Sequence, residues 1–147
     1  MLNGQFTYDT QVWEDEFRKR WKSDRPERPG AQPIPGAFSG LSPADYDGPK
    51  GDKKRRDVDM RGWISPDDPP VFIVTTFKDQ PPQTVGQYNH HPYHAQLIQQ
   101  RCQQQGVNVE CLLPGVEPAD AKRLGGQPDP MLAFFLKNLE FDPASAP

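Results

Sequence analysis

Two apolar segments in the second half of the chain have the length and composition of β-strands. Residues 71–76 form a continuous apolar and β-branched run, and a run without alternation predicts a strand buried on both faces, as in a parallel sheet covered by helices. Residues 107–113 begin in strict alternation and end apolar, which predicts a second strand. A helical pattern lies between them, so the segment predicts a right-handed parallel βαβ unit.

The helix between the two strands has signals at both ends. Pro92 suits the first helical turn, and Gly106 suits the position just after the last turn. One face between them is apolar, through Ala95, Leu97, Ile98 and Cys102. We therefore predict about four helical turns, with residues 77–89 as a loop before them.

A terminal helix is predicted after residue 128. Asp129 is a suitable N-cap, and Pro130 suits the first helical position. We expect this helix to cover one face of the sheet with its apolar residues Met131, Phe134, Phe135 and Leu139. Residues 71–139 thus predict strand, helix, strand and helix in that order.

The first half is less regular. Asp9 or Thr10 is a suitable N-cap for a helix within residues 1–21, on which aromatic side chains recur every four residues and form a packing face: Trp13, Phe17 and Trp21. Residues 22–70 are dominated by Pro, Gly and charged residues, and they predict mostly loop with one short helix near residues 54–62.

Length and composition favour one α/β domain spanning residues 1–147, with few strands. The chain has 147 residues, 18 Pro and 12 Gly, and its hydrophobic fraction of 34% predicts a small core. We expect a partial three-layer sandwich, in which helices cover both faces of a sheet of few strands. One edge of that sheet would be open, which would favour self-association.

The charge and the apolar segments limit the kinds of partner. The net charge of −3 disfavours binding to nucleic acid. Neither an export signal nor an apolar membrane span is recognisable, so no membrane partner is expected.

The carboxyl ends of the two predicted strands are the first place to look for chemistry, because ligands of open parallel sheets gather there. The loop after residue 76 carries Lys78 and Asp79, and an Asp at this position is a candidate acid, metal ligand or orienting carboxylate. The loop after residue 113 has charged residues but no Ser, Cys or His to act as nucleophile or base: Glu117, Asp120, Lys122 and Arg123.

Other polar clusters predict no cofactor or metal site. His90 and His94 are one helical turn apart and could present two imidazoles to a metal, but no distant third ligand stands out. We therefore expect His90, His91 and His94 to be exposed polar side chains at the helix start. Cys102 and Cys111 lack the spacing of a zinc site or disulfide framework. The basic run at residues 53–56 is flanked by acidic residues and predicts a solvated surface.

Several short segments together resemble the carboxyl-terminal part of esterase-type and lipase-type α/β-hydrolases. In that family a DDPP strand leads to the catalytic acid, a helix ends in Gly-Val, and a strand ending in Pro-Gly precedes the catalytic His and a final helix. The corresponding segments are DDPPVFIVTTFKD at 67–79, GVNVEC at 106–111 and LPG at 113–115. The resemblance places Asp79 at the position of the triad acid, which would orient a His.

The rest of the family's catalytic machinery is absent from this sequence. The nucleophile elbow G-x-S-x-G does not occur, and the loop after Pro114-Gly115 contains no His. Because nucleophile and base act as a unit, we expect the chain alone not to hydrolyse esters. The chain is then either the distal part of a hydrolase that begins before Met1, with an ester or acetyl ester as substrate, or a degenerate relative.

Two alternatives have a different functional class. The chain can be a non-catalytic binding or interaction module that uses the aromatic helix or a pocket around Asp79, Tyr88 and His90. A flavodoxin-like anion-binding domain is a weaker alternative, because no Gly-rich phosphate loop follows either strand.

Overall fold

The computed structural model describes residues 4–21, 40–114 and 130–139, and these residues contain a two-stranded parallel sheet. Strand β1 (Val71–Val74) pairs in parallel with strand β2 (Val109–Leu112). The register places Val71 opposite Val109 and Val74 opposite Leu112. The predicted parallel pair and the mixed α/β class are confirmed.

Seven helices occur in the described residues. They are α1 (Thr10–Arg20), α2 (Pro43–Tyr46), α3 (Pro49–Asp57), α4 (Met60–Trp63), α5 (Val85–Asn89), α6 (Pro92–Gln105) and α7 (Pro130–Asn138). Helices α5 and α6 form the crossover between the two strands. The order strand, helix, strand and helix predicted for residues 71–139 is therefore present, with α5 as an addition.

β1 is buried on both faces, as its uninterrupted apolar run predicts. Phe72 and Ile73 point to opposite faces because side chains alternate along a strand, and they are 5% and 0% exposed. The strand is two residues shorter than predicted. Thr75 still donates its backbone N–H to the Leu112 carbonyl at 3.1 Å, so the ladder extends just past the strand.

The bounds of α6 match the sequence signals. His91 is its N-cap, Pro92 is its first residue, and Gly106 adopts the left-handed conformation with φ 74°. The short helix α5 was predicted as loop, and this prediction is wrong. Its signal is a capping box, in which the Thr84 hydroxyl accepts from the Gln87 N–H while the Gln87 side chain accepts from the Thr84 N–H.

Helix α1 packs its aromatic face into the core, as expected. Trp13 and Phe17 are 3% and 2% exposed, while Trp21 is partly buried against the same cluster. The Trp13 indole donates to the Thr7 carbonyl at 2.6 Å. The other buried residues of this hydrophobic core come from the segment before α1, from β1, from the crossover helices and from the segment before β2: Phe6, Ile73, Tyr88, Ala95, Leu97, Ile98, Cys102 and Val107.

Residues 22–39 of the predicted loop region lie outside the described part. The short helix predicted near residues 54–62 overlaps the end of α3 and most of α4, whereas α2 and the start of α3 lie where loop was predicted, so the prediction is wrong there. Ser42 caps α2 by accepting from the Asp45 N–H, and Pro43 takes the first helical position. Helix α3 lies so close to α2 that a Cβ on Gly51 would meet the Tyr46 carbonyl oxygen at 1.7 Å. Only glycine fits there.

Helix α7 covers less of the sheet than the sequence predicts. Phe134 is 2% exposed and packs its ring 5.1 Å from that of Phe72. Met131, Phe135 and Leu139, predicted to pack with it, are 46%, 46% and 70% exposed. The expectation that all four cover the sheet is therefore wrong for three of them.

Candidate functional site

Asp79 lies in the loop after β1, at the end of the sheet where ligands of parallel sheets bind. Its side chain is 34% exposed. One carboxylate oxygen, Oδ2, lies 2.5 Å from Nη2 of Arg20 and accepts from Nε2 of Gln96 at 3.0 Å. The carboxylate is thus bound on one side by a guanidinium from α1 and an amide from α6.

Arg20 completes this arrangement from the last residue of α1. It donates from Nη1 to Oε1 of Gln96 at 3.1 Å, so Arg20, Asp79 and Gln96 form a closed triangle, named here the Asp79 cluster. The Arg20 guanidinium also lies 4.6 Å from the centre of the Tyr93 ring and 5.5 Å from that of Trp21. These contacts join α1, the loop after β1 and α6.

His91 lies beside the cluster, with both ring nitrogens bonded to the backbone. Nδ1 accepts from the Tyr93 N–H at 3.0 Å, which places the ring proton on Nε2, and Nε2 donates to the Gln80 carbonyl at 2.9 Å. Oδ1 of Asp79 is 3.8 Å from the same nitrogen. Burial is the main cause that lowers the pKa of His91, which favours the neutral ring.

His94 is entirely enclosed. It is 0% exposed, and its Nε2 donates to the Tyr88 carbonyl at 3.0 Å. Its Nδ1 has no hydrogen-bond partner in the described part of the chain, and aromatic rings surround it, with centroids 4.8, 5.2 and 5.4 Å away: Trp13, Phe17 and Phe6. Desolvation lowers the pKa of His94 to about 3, so the ring is neutral at physiological pH.

These positions correct the expectation that the three histidines are exposed. His91 and His94 are core residues, and His90 stacks on Phe77 with 6.0 Å between ring centroids. Tyr88 is also buried at 2% exposure, so the proposed pocket around Asp79, Tyr88 and His90 is not open at Tyr88. The described residues contain no group of three or more His, Cys, Asp or Glu side chains that could hold a metal ion.

A polar pocket of about 220 Å³ opens beside Asp79. Its lining comes from the loop after β1 and from α5: Thr76, Phe77, Lys78, Gln80 and Gln87. The pocket lies at the end of the sheet predicted from the strand order. It offers an ammonium, a hydroxyl and amides to a small polar ligand, and one aromatic ring to an apolar group.

No imidazole in the described part of the chain is in position to act as a base beside the candidate acid Asp79. His91 uses both nitrogens on the backbone, and His94 is sealed in the core, so neither can take a proton from a nucleophile. The second candidate loop, with Glu117, Asp120, Lys122 and Arg123, lies outside the described residues. In the structure, Asp79 instead connects α1 and α6 through its contacts with Arg20 and Gln96.

The sequence predicts Asp79 as a candidate site residue, but it predicts neither Arg20 nor Gln96 as a partner of Asp79. Arg20 and Asp79 are 59 positions apart, and no local pattern connects residues at that separation. The partners follow only from the way α1 packs on α6.

No family model, no curated protein and no solved structure matches the chain. The resemblance to α/β-hydrolases therefore stays a prediction from the sequence. Among the described helices, none has the length and apolar character needed to cross a bilayer.

Proposed function

We propose that this chain is the carboxyl-terminal part of an esterase-type α/β-hydrolase, with an ester or acetyl ester as the substrate class, and that the chain alone does not hydrolyse esters. The observation that carries the proposal is the position of Asp79 on the loop that follows β1 in a parallel βαβ unit. The triad acid occupies the corresponding loop in the family that the sequence resembles. The pocket beside Asp79 provides room for a small ester.

The lack of catalysis follows from the chemistry around Asp79. A triad acid orients an imidazole and stabilises its charged form, whereas this carboxylate binds Arg20 and Gln96. The sequence contains no G-x-S-x-G elbow to present a serine. An acid without nucleophile and base gives no acyl transfer, because the three groups act as a unit.

The catalytic part of this proposal is tested with the whole chain, 4-nitrophenyl acetate and a serine-reactive fluorophosphonate. We expect no turnover above buffer and no covalent adduct by mass spectrometry. Asp79→Asn is the matched variant and should behave identically. Turnover that falls at least tenfold in Asp79→Asn, or a stoichiometric phosphonate adduct, would show that the chain is a working hydrolase.

The substrate class is tested by binding. Amide resonances of residues 76–80 and of Gln87 should shift saturably with phenyl acetate, an uncharged acetyl ester. Phenol at the same concentrations is the control for the aromatic ring, and its shifts should be smaller. Equal shifts with both compounds, or none with either, would remove the support for an ester site and favour the second candidate.

The second candidate is a non-catalytic interaction module that associates with another copy of itself. The observation that favours it is the outer face of α7, where five apolar residues are 38–70% exposed: Met131, Leu132, Phe135, Leu136 and Leu139. The aromatic residues of α1, which the sequence offered as an alternative surface, are largely buried. Association through α7 would remove apolar area from water.

Sedimentation equilibrium distinguishes this candidate. Wild type should show reversible dimerisation, and Leu136→Glu should be monomeric over the same concentration range. Gln103→Glu adds the same charge at an exposed position of α6 and should leave association unchanged. A wild-type chain that is monomeric at all concentrations would exclude self-association.

A further inference from the structure

A second cavity, of about 250 Å³, lies between α4 and α6, away from the Asp79 cluster. Arg61 and Gly62 of α4 form one wall, and four residues of α6 form the other: Leu97, Gln100, Arg101 and Gln104. These four lie at positions i, i+3, i+4 and i+7 and therefore share one face of the helix. Two rigid elements thus shape the cavity.

The polar groups of this cavity are hydrogen-bond donors with positive charge. Arg61 and Arg101 bring two guanidinium groups, and Gln100 and Gln104 bring carboxamides. None of the six lining residues is acidic. A cavity lined in this way favours an anion, and guanidinium groups match the oxygens of phosphates and carboxylates in a bidentate manner.

The guanidinium groups of Arg61 and Arg101 differ in the number of charged and hydrogen-bond partners that the protein gives them. Arg61 has a carboxylate partner, since its Nη1 lies 3.2 Å from Oε1 of Glu16, and its guanidinium lies 4.8 Å from the Phe6 ring centroid. Arg101 donates from Nη2 to the Ile64 carbonyl at 3.4 Å. None of the described carboxylates lies within ion-pair distance of Arg101, and its buried Nε has no acceptor.

A partly buried guanidinium without a counter-charge is costly, because desolvation penalises its charge and its orphaned N–H. Glu16 pairs with Arg61, and the Asp59 carboxylate lies next to Gly62, with its Oδ2 2.6 Å from where a Cβ of that residue would be. Arg101 is the lining cation whose charge no described carboxylate balances at ion-pair distance. A ligand with two or more oxygens would accept from the outer nitrogens of Arg101 and from the glutamine amides. The cavity volume of about 250 Å³ has room for one small oxyanion group.

We propose that the cavity between α4 and α6 binds a phosphate group, either as inorganic phosphate or as the head of a small phosphomonoester, with Arg101 as the main charged contact. Arg61, Gln100 and Gln104 provide further donors. This site is independent of the esterase proposal, because it shares no residue with the Asp79 cluster or the pocket beside it.

The test is isothermal titration calorimetry of the whole chain with inorganic phosphate, with ionic strength kept constant by sodium chloride. We expect saturable binding that weakens at least tenfold in Arg101→Gln. Lys53→Gln removes one positive charge from an exposed position of α3 outside the cavity and should bind as wild type does. Equal affinity in wild type and Arg101→Gln, or heat from simple dilution only, would overturn the site.

Gln104→Glu keeps the test decisive if Arg101→Gln fails to fold. Gln104 is exposed, so the substitution should leave the circular dichroism spectrum unchanged while its carboxylate competes with phosphate for Arg101. Phosphate affinity should again fall at least tenfold, and an unchanged affinity would overturn the site. Competition by glycerol 3-phosphate separates the sources: tighter binding than inorganic phosphate identifies the phosphomonoester, and weaker binding identifies the free ion.

Discussion

Arg20 and Asp79 form an ion pair with 2.5 Å between Nη2 and Oδ2, and this contact joins the end of α1 to the loop that follows β1. Gln96 binds both partners, so the pair is held in one geometry. Such a closed arrangement orders α1 and α6 relative to each other. It also occupies the carboxylate that follows β1 at the carboxyl end of the sheet.

Breaking this pair should lower stability modestly. Both side chains are about one-third exposed, at 29% and 34%, so solvent screens their attraction and we expect a coupling free energy of ~0.5–1 kcal/mol. The measurement is a double-mutant cycle with Arg20→Gln and Asp79→Asn, followed by urea denaturation. The exposed pair Lys53 and Asp57, 2.7 Å apart, is the control cycle and should give less. Equal coupling free energies in the two cycles would mean that the Asp79 cluster stabilises the fold no more than an ordinary exposed ion pair does.

Buried His94 should make the fold sensitive to mild acid. The neutral ring is fixed in the folded state, with a pKa lowered to about 3 from 6.5, so only the unfolded chain takes up a proton between these values. The free energy of unfolding therefore falls as the pH decreases below 6.5, by up to ~1.4 kcal/mol per pH unit for this proton. Above pH 6.5 the contribution is fully present.

Histidine ring resonances check this expectation directly. Those of His94 should not titrate between pH 8 and 5 in the folded protein. His94→Gln should flatten the dependence of the unfolding free energy on pH by up to one proton between pH 6.5 and 5 and should not change it above pH 6.5. An ordinary titration near pH 6.5 would contradict the buried, neutral ring.

Phe134 is the buried residue of α7 that packs on the sheet, beside the polar contacts of Lys137 with Glu110 and of Asn138 with Asn108. Its ring packs against Phe72 and is 2% exposed, so Phe134→Ala should cost ~3 kcal/mol or more of local stability. Leu132→Ala, on the same helix at 48% exposure, should change stability by less than ~0.5 kcal/mol. Amide hydrogen exchange of residues 130–139 measures both. Similar exchange rates in the two variants would mean that Phe134 does not anchor the helix.

Gly51→Ala should separate α3 from α2. The added methyl would overlap the Tyr46 carbonyl, which is backbone and cannot rotate away, so we expect a loss of ~2 kcal/mol or more. Gly106→Ala is the comparison, because a Cβ there meets nothing within 4 Å and only the positive φ of 74° opposes it, at ~1 kcal/mol. Thermal denaturation ranks the two, and the reverse order would contradict the close approach of α2 and α3.

The sequence predicted elements whose ends carry local chemical signals. α6 begins at Pro92 and ends before Gly106, as expected, because the missing N–H of proline and the left-handed freedom of glycine act within one turn. The same kind of signal was present and overlooked at Thr84, and at Ser42 before Pro43, where short helices begin. The basic residues of α3 form no apolar period, and only the end of this helix was predicted.

The burial of individual side chains and the pairing of Asp79 could not be predicted, because both depend on contacts between segments that are distant in the sequence. His94 is polar and near a helix start, so its own sequence context predicts exposure, yet Phe6, Trp13 and Phe17 enclose it. The reverse holds for Leu139, which is apolar but 70% exposed. Asp79 was identified from its place after β1, whereas Arg20 became its partner through the packing of α1.

The parallel register of β1 and β2 also governs how the chain can fold. Val71 pairs with Val109, so the whole crossover must close as a loop before the first rung of the ladder forms. Closing a long loop costs entropy, and non-local pairing of this kind slows folding. Helix α6 shortens that loop when it forms, because fourteen residues become one rigid segment. Pro92 and Gly106 favour the formation of α6 and should thus increase the rate at which β1 and β2 pair, although neither residue belongs to the sheet.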